Sequence, residues 1–332
     1  MKNCIVTGGA GFIGSNLCYK LVELGHKVTI IDNLSTGIKT NLKKIEKKIN
    51  FKKLDISKIQ DLDEVSFNNI DWVFHLAGIA DIVPSIQKPD KYFQSNVLGT
   101  LNVLEKSKTA KVKKFIYAAS ASCYGIPDNF PTKETEKIKP EYPYALTKNI
   151  GEQLVMHWAE IYNMPNISLR FFNAYGPNSR TTGAYGAMFG VFLAQKLNKQ
   201  PLTIVGDGNQ TRDFIHVYDL VEAIIKIADH KKINEIYNLA SGHETSVNYI
   251  ANIIGGNTVK IPKRPGEPNR SLADITKIQK EINWKPSIKI EDGVRMMLKI
   301  IENWKEAPVW TPEKIEEATK PWFNYLKKER KK

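Results

Sequence analysis

Residues Thr7–Gly14 read Thr-Gly-Gly-Ala-Gly-Phe-Ile-Gly, directly after the apolar run Cys4-Ile5-Val6 and before a helix-like stretch, Ser15–Leu24. Glycine clusters are common in ordinary turns; one that ends a strand and opens a helix constrains the whole fold. Gly8 can take a positive φ, Gly11 lets the backbone approach a pyrophosphate, and Gly14 lets helix and strand pack closely. The helix N-terminus then offers unpaired N–H groups to the phosphates. The next apolar run, Lys27–Ile31, ends at Asp32, where a carboxylate can grip a ribose diol. A carboxylate there repels a 2′-phosphate, so NAD is favoured over NADP.

The first 173 residues alternate strand and helix. Short runs rich in Val, Ile and Phe mark strands at Asn3–Thr7, Lys27–Ile31, Asn50–Leu54, Trp72–Leu76, Phe115–Ala119 and Ile167–Phe171, as expected of strands covered on both faces. Helical patterns lie between them at Phe12–Leu24, about Ile59–Val65, Pro89–Lys108 and Tyr142–Tyr162. This alternation predicts an α/β fold, a Rossmann-type doubly wound parallel sheet. After Asn173 the texture changes. Gly176-Pro177, Gly183, Gly186, Gly190 and Gly206-Asp207-Gly208 punctuate shorter elements. Strands at Phe214–Val217 and Ile236–Leu239, flanking a helix at Asp219–Ala228, are expected to rejoin the first domain. The division is then 1–173 plus 213–240 for a dinucleotide-binding domain, and 174–212 plus 241–332 for a smaller, discontinuous substrate domain. The aromatic tail, with Trp304, Trp310, Trp322, Phe323 and Tyr325, reads as a helix held by core packing.

Composition excludes several classes. The net charge of +13 raises nucleic acid or a membrane surface as partners, but the lysines are scattered and no aromatic-interleaved basic stripe exists. No stretch reaches the roughly 20 apolar residues of a membrane span. The first strand begins within three residues of Met1, which leaves no room for a signal peptide. Cys4, Cys18 and Cys123 lack metal-ligand spacing, so no metal is expected, and reduced thiols suit the cytoplasm.

The chemistry is carried by Tyr144-Ala-Leu-Thr-Lys148. This spacing puts both side chains on one helix face, one turn apart. A phenol with pKa about 10 is a poor base at neutral pH. A neighbouring ammonium favours the phenolate, so the pair can take a proton from a sugar hydroxyl while hydride leaves the same carbon. Ser120-Ala-Ser-Cys-Tyr-Gly125 follows the fifth strand, and the Ser120 hydroxyl is placed to hold the same substrate oxygen. His216 and Cys123 read as structural.

These segments resemble the NAD-dependent nucleotide-sugar epimerase/dehydratase family of extended short-chain dehydrogenases/reductases, nearly end to end. The likeness includes Thr7–Gly14, Asp32-Asn33-Leu34, Asp55-Ile56, His75-Leu-Ala-Gly78, Asn96-Val-Leu-Gly-Thr100, Ser120–Gly125 and Tyr144–Lys148. It continues through Arg170-Phe-Phe-Asn173, Gly206-Asp-Gly208, Arg212-Asp-Phe-Ile-His216, Arg264-Pro-Gly-Glu267 and Asn283-Trp-Lys-Pro286. The resemblance implies NAD held at Gly8, Gly11, Phe12, Ile13 and Gly14, with Asp32 and Asn33 at the adenosine ribose and Asp55 and Ile56 bordering adenine. It further implies Ala77, Gly78 and Asn96 along the cofactor, and Lys148 also at the nicotinamide ribose beside Tyr144. For the substrate it implies Ser122, Asn173, Arg212, Arg264 and Glu267, with guanidinium forks around a nucleotide diphosphate. It also implies a homodimer joined through Pro89–Lys108 and Tyr142–Tyr162.

Within such a family the reactions part after C4 oxidation. Members that eliminate water carry an acid pair after the fifth strand, and decarboxylating members keep a glutamate there. Here those positions are Ala121 and Ser122, which cannot do acid–base work at neutral pH. A 4-epimerase needs no such group, so epimerisation of UDP-hexoses or UDP-N-acetylhexosamines is expected. A 4,6-dehydratase is the alternative, and a non-catalytic NAD-binding or RNA-associated protein the rival of another class. Ser271 stands where the family often closes the C2 side of the sugar with an aromatic; a small side chain is expected to leave space for an N-acetyl group.

Overall fold

The computed structural model describes residues 1–179 and 188–326; Gly183, Gly186 and the lysine-rich end of the tail lie outside them. Among the described residues the strands are β1 (Asn3–Thr7), β2 (Lys27–Ile31), β3 (Ile49–Lys52), β4 (Trp72–His75), β5 (Lys114–Ser120), β6 (Asn166–Phe171), β7 (Asn173–Tyr175), β8 (Leu202–Val205), β9 (Thr211–His216), β10 (Glu235–Leu239), β11 (Glu244–Ser246) and β12 (Thr258–Ile261). The helices are α1 (Phe12–Glu23), α2 (Ile82–Gln87), α3 (Pro89–Tyr92), α4 (Gly99–Thr109), α5 (Pro143–Tyr162), α6 (Met188–Leu197), α7 (Val217–Asp229), α8 (Val247–Ile254), α9 (Thr276–Ile282), α10 (Ile290–Lys299) and α11 (Pro312–Leu326). A π turn at Phe93–Leu98 joins α3 to α4.

Seven parallel strands form one sheet in the order β10-β6-β5-β4-β1-β2-β3. Val6 sits opposite Ile30 on one side and Phe74 on the other. Ile5 and Val6 are wholly buried, because helices cover both faces. One face packs Leu17 and Leu21 of α1 with Ile224 and Ile227 of α7; the other packs Val103 and Leu104 of α4 with Val155 of α5. Strand order reverses between β1 and β4, so the loops after those two strands diverge, and a crevice opens where ligands bind in such sheets. A third apolar cluster, with Phe189, Phe192, Ile250, Val294 and Trp304, forms around a two-stranded sheet of β8 and β12 and a three-stranded sheet of β11, β9 and β7.

Two expectations change. The helix expected near Ile59–Val65 is a short 3-10 turn, Asp61–Glu64, because Leu62 is the only residue in that turn with an apolar side chain to bury. The strand expected at Phe214–Val217 runs Thr211–His216 and lies outside the seven-stranded sheet. The free edge of β6 is taken by β10 (Ile236 opposite Ser168), so β9 pairs instead with β7 (Asn173 opposite Phe214). All three cysteines are free and buried. No helix among the described residues is long and apolar enough to cross a membrane.

Candidate functional site

A cleft of about 650 Å³ opens at the reversal of strand order and continues to the third apolar cluster. Its first end is built by the glycine turn. Gly8 has φ +71°, and a Cβ on it would lie 2.7 Å from the Ala77 nitrogen; a Cβ on Gly14 would lie 2.1 Å from the Gly8 carbonyl oxygen. Only glycine lets β1, α1 and the β4 loop meet this closely. The N-cap of α1 is Gly11, with no side-chain cap, so the first N–H groups of the helix have no side-chain partner. Gly11, Phe12, Ile13 and Gly14 line the cleft at that point. Asp32 ends β2 with one carboxylate oxygen accepting from the Ala10 N–H (2.9 Å) and the other from the Leu34 N–H (2.8 Å). Each oxygen keeps a lone pair for a hydroxyl. Asn33 donates to Asp55 at 3.2 Å, and both line the wall with Ile56. A dinucleotide fits this set: an unpartnered helix start for phosphates, a fixed carboxylate for a diol, and a half-apolar slot beyond.

Asn96 is not on the cleft wall. It is turned inward on the π turn, where Nδ2 donates to the Ile79 carbonyl and to Thr147 Oγ1 while Oδ1 accepts from the Ile79 N–H. It therefore shapes the cofactor loop and fastens it to α5. π turns recur at functional sites because they rotate one side chain out of helical register. His75 bridges Thr7 and Thr100 (2.7 and 2.9 Å), and burial lowers its pKa to about 3, so it is a neutral structural imidazole.

At the middle of the cleft α5 presents Tyr144 and Lys148 from its first turns. The expected electrostatics are not those observed. Lys148 lies 4.4 Å from the centre of the Tyr117 ring, and burial lowers its pKa to about 7. Burial raises that of Tyr144, opposed by the Ser120 hydroxyl. Ser120 and Ser122 do not line the wall: the Ser122 hydroxyl and N–H both point to Ser120 Oγ, at 2.9 and 3.2 Å. Ser122 orients Ser120, which acts on Tyr144, and this replaces the expectation that Ser122 touches substrate. Cys123 is an inert thiol, pushed up to about 12 by burial. His216 is buried and caps α7, accepting from the Tyr218 N–H, as its structural reading required.

At the far end Asn173, Arg212, Arg264 and Glu267 line the wall. Arg212 is paired with Glu267 at 3.0 Å. Ser271 is not on the wall; its N–H donates to the Thr211 carbonyl, which fastens the segment along β9. Three wall residues had no sequence signal. Asp81 comes from the loop after β4, and Trp310 and Trp322 come from the aromatic tail, whose packing was expected to be purely structural. A spacing rule cannot find Trp322, because it reaches the cleft only through the tertiary path of α11.

A sequence model of the NAD dependent epimerase/dehydratase family matches residues 4–240. The chain is 33% identical to the UDP-N-acetyl-alpha-D-glucosaminuronate decarboxylase of Bacillus cytotoxicus, over 89% of this chain and 96% of that one. Its structure is similar to that of UDP-glucose 4-epimerase with UDP-glucose from Thermotoga maritima (TM-score 0.86, 32% identity, 91% and 99% covered). It is also similar to UDP-N-acetylglucosamine 4-epimerase from Methanobrevibacter ruminantium in complex with UDP-N-acetylmuramic acid (TM-score 0.84, 33% identity, 92% and 98% covered).

Proposed function

The chain belongs to the NAD-dependent epimerase/dehydratase family, and on that premise we propose that it interconverts C4 epimers of a nucleotide-linked hexose, a UDP-sugar in the first instance. NAD, which Gly8, Gly11, Gly14 and Asp32 would hold, would supply the hydride acceptor for C4 and the donor for its return. The phenolic oxygen of Tyr144 receives the C4 hydroxyl proton and later returns it, while the Ser120 hydroxyl supports the phenol. Lys148 would hold the nicotinamide ribose, and its ammonium form, present at and below about pH 7, favours a phenolate. Asn173, Arg212 and Arg264 grip the diphosphate, which displaces Glu267 from Arg212. The 4-keto sugar then turns about its phosphate linkage and presents its opposite face.

One observation carries this reading over its relatives in the family. The two residues after Ser120 are Ala121 and Ser122, and no carboxylate stands there to remove a C5 proton. UDP as the nucleotide is supported by the relatives and neighbours above, all of which act on or bind UDP-sugars by name. A second reading, a 4,6-dehydratase, is favoured by Asp81, a carboxylate on the cleft wall whose charge bears on Tyr144. Incubation with UDP-, GDP-, CDP- and dTDP-sugars, followed by NMR and mass spectrometry, separates the two. An epimerase product keeps its mass; a dehydratase product has lost water. Turnover of none of these sugars overturns both.

A further inference from the structure

The C-terminal helix contributes to the cleft wall. α11 packs onto α2, the helix that follows the cofactor loop after β4. It buries Ile315, Thr319 and Trp322, and both Ile315 and Trp322 line the cleft. The Trp322 indole N–H donates to the Pro265 carbonyl at 2.6 Å, and the Arg264 guanidinium carbon lies 5.5 Å from the ring centre. Tyr142 also neighbours the indole, with ring centres 6.5 Å apart. Tyr142 in turn lies parallel to Tyr144, 6.4 Å away and within 8°. Two side chains, Trp322 and Tyr142, thus connect the arginine assigned to the diphosphate with the tyrosine assigned to the proton.

A hexose 1-diphosphate spans these two points, its C1 oxygen on the phosphate and its C4 hydroxyl at Tyr144. A ring on the cleft wall that neighbours Arg264 directly and Tyr144 through Tyr142 would stand beside the pyranose. Resting on the nucleotide-sugar reading, we infer that Trp322 is the residue that sets sugar selectivity in this chain and that it holds Arg264 in place for the diphosphate. Ser271 does not line the cleft, and its backbone N–H is bonded to the Thr211 carbonyl of β9. Trp322 is a positioning residue toward Arg264, through a cation–π contact and the anchored Pro265 carbonyl. Toward the sugar it is a steric wall.

The two roles separate by substitution. Trp322→Phe keeps a ring for Arg264 and loses the N–H. Trp322→Ala removes both and opens space along the cleft wall. The test uses the full chain with its NAD, in the parent, Trp322→Phe, Trp322→Ala and Ser271→Tyr, each checked for thermal unfolding and NAD content. UDP affinity is read by calorimetry, and kcat and KM for UDP-glucose and UDP-N-acetylglucosamine by NMR. Trp322→Ala is expected to weaken UDP about tenfold, with Trp322→Phe between it and the parent. It is also expected to move the kcat/KM ratio toward the N-acetyl sugar about tenfold, with Ser271→Tyr leaving the ratio at the parent value. If Trp322→Ala does not fold, Trp322→Phe and Trp322→Leu carry the same comparison. Parent UDP affinity and parent ratio in a folded Trp322 variant overturn the inference, as does a ratio that follows Ser271 instead. If the parent turns over neither these sugars nor any of the wider panel, the reaction reading has failed; the UDP measurement still decides whether Trp322 holds Arg264.

Discussion

The Lys148 amine lies 4.4 Å from the centre of the Tyr117 ring, buried beneath the catalytic face of α5. Burial takes its pKa from 10.5 to about 7, with Glu152 one turn further along opposing the shift. The sign of the consequence follows from which state holds the proton. Between about pH 7 and 10.5 the unfolded chain keeps Lys148 charged and the folded chain does not, so unfolding takes up a proton and raising the pH stabilises the fold. Below pH 7 both states are charged and the full desolvation cost is present. Lys148→Met should therefore flatten the rise of unfolding free energy across this range, measured by urea titration at successive pH values, and abolish turnover. An unchanged slope would show that the amine is not desolvated.

Tyr144→Phe removes the oxygen that receives the proton and little else, since the ring still lies against Tyr142 and Tyr92. Turnover should fall by about 10²–10⁴, the usual worth of one general base. Bound NAD, released by heat and measured by chromatography, should stay at the parent content. Loss of NAD together with activity would mean that the phenol supports the cofactor slot rather than the chemistry.

Much of this site was legible in advance because local chemistry dictates it. Gly8 and Gly14 admit no Cβ, Asp32 must end β2, and Tyr144 and Lys148 share a face whatever surrounds them. Pairing was less legible. Nothing local to Phe214 says that β10 has already taken the edge of β6. Electrostatics were less legible for a related reason: a lysine favours a neighbouring phenolate only while it carries its charge, and how far burial strips that charge is a property of the finished fold. Trp322 was read as packing because an aromatic at the end of a chain carries no mark of which surface it will meet.

We propose a surface for the expected dimer. Leu98 ends the π turn and Leu146 lies on the first turns of α5, and both are exposed although these elements pack together. A second copy meeting this pair through its own would cover them. Leu98→Glu combined with Leu146→Glu should halve the mass seen by light scattering, with NAD content kept. A parent protein that is already monomeric at micromolar concentration removes the proposal.

Behind the catalytic face, Glu152 and Arg170 form a pair that is only 5% and 4% exposed. Arg170 Nη2 donates to Oε1 at 2.6 Å and Nε to Oε2 at 3.0 Å, and Ser168 adds a hydroxyl at 2.8 Å. The other arm of the guanidinium donates to the Tyr124 hydroxyl, which donates on to Asn238. Such a pair adds little over an apolar replacement, but removing one partner strands a buried charge. Glu152→Gln should therefore cost about 3–5 kcal/mol in urea unfolding. The same change removes the carboxylate that opposes desolvation of Lys148, so the amine should titrate below its parent value when followed by ¹⁵N NMR. A loss under about 1 kcal/mol, typical of an exposed pair, would show that water reaches Arg170. A lower stability with an unmoved Lys148 would show that Arg170 already cancels the Glu152 charge at that distance. Both shifts together would make α5 a single electrostatic unit, in which the pair that holds the sheet also sets the proton affinity of the amine at the active face.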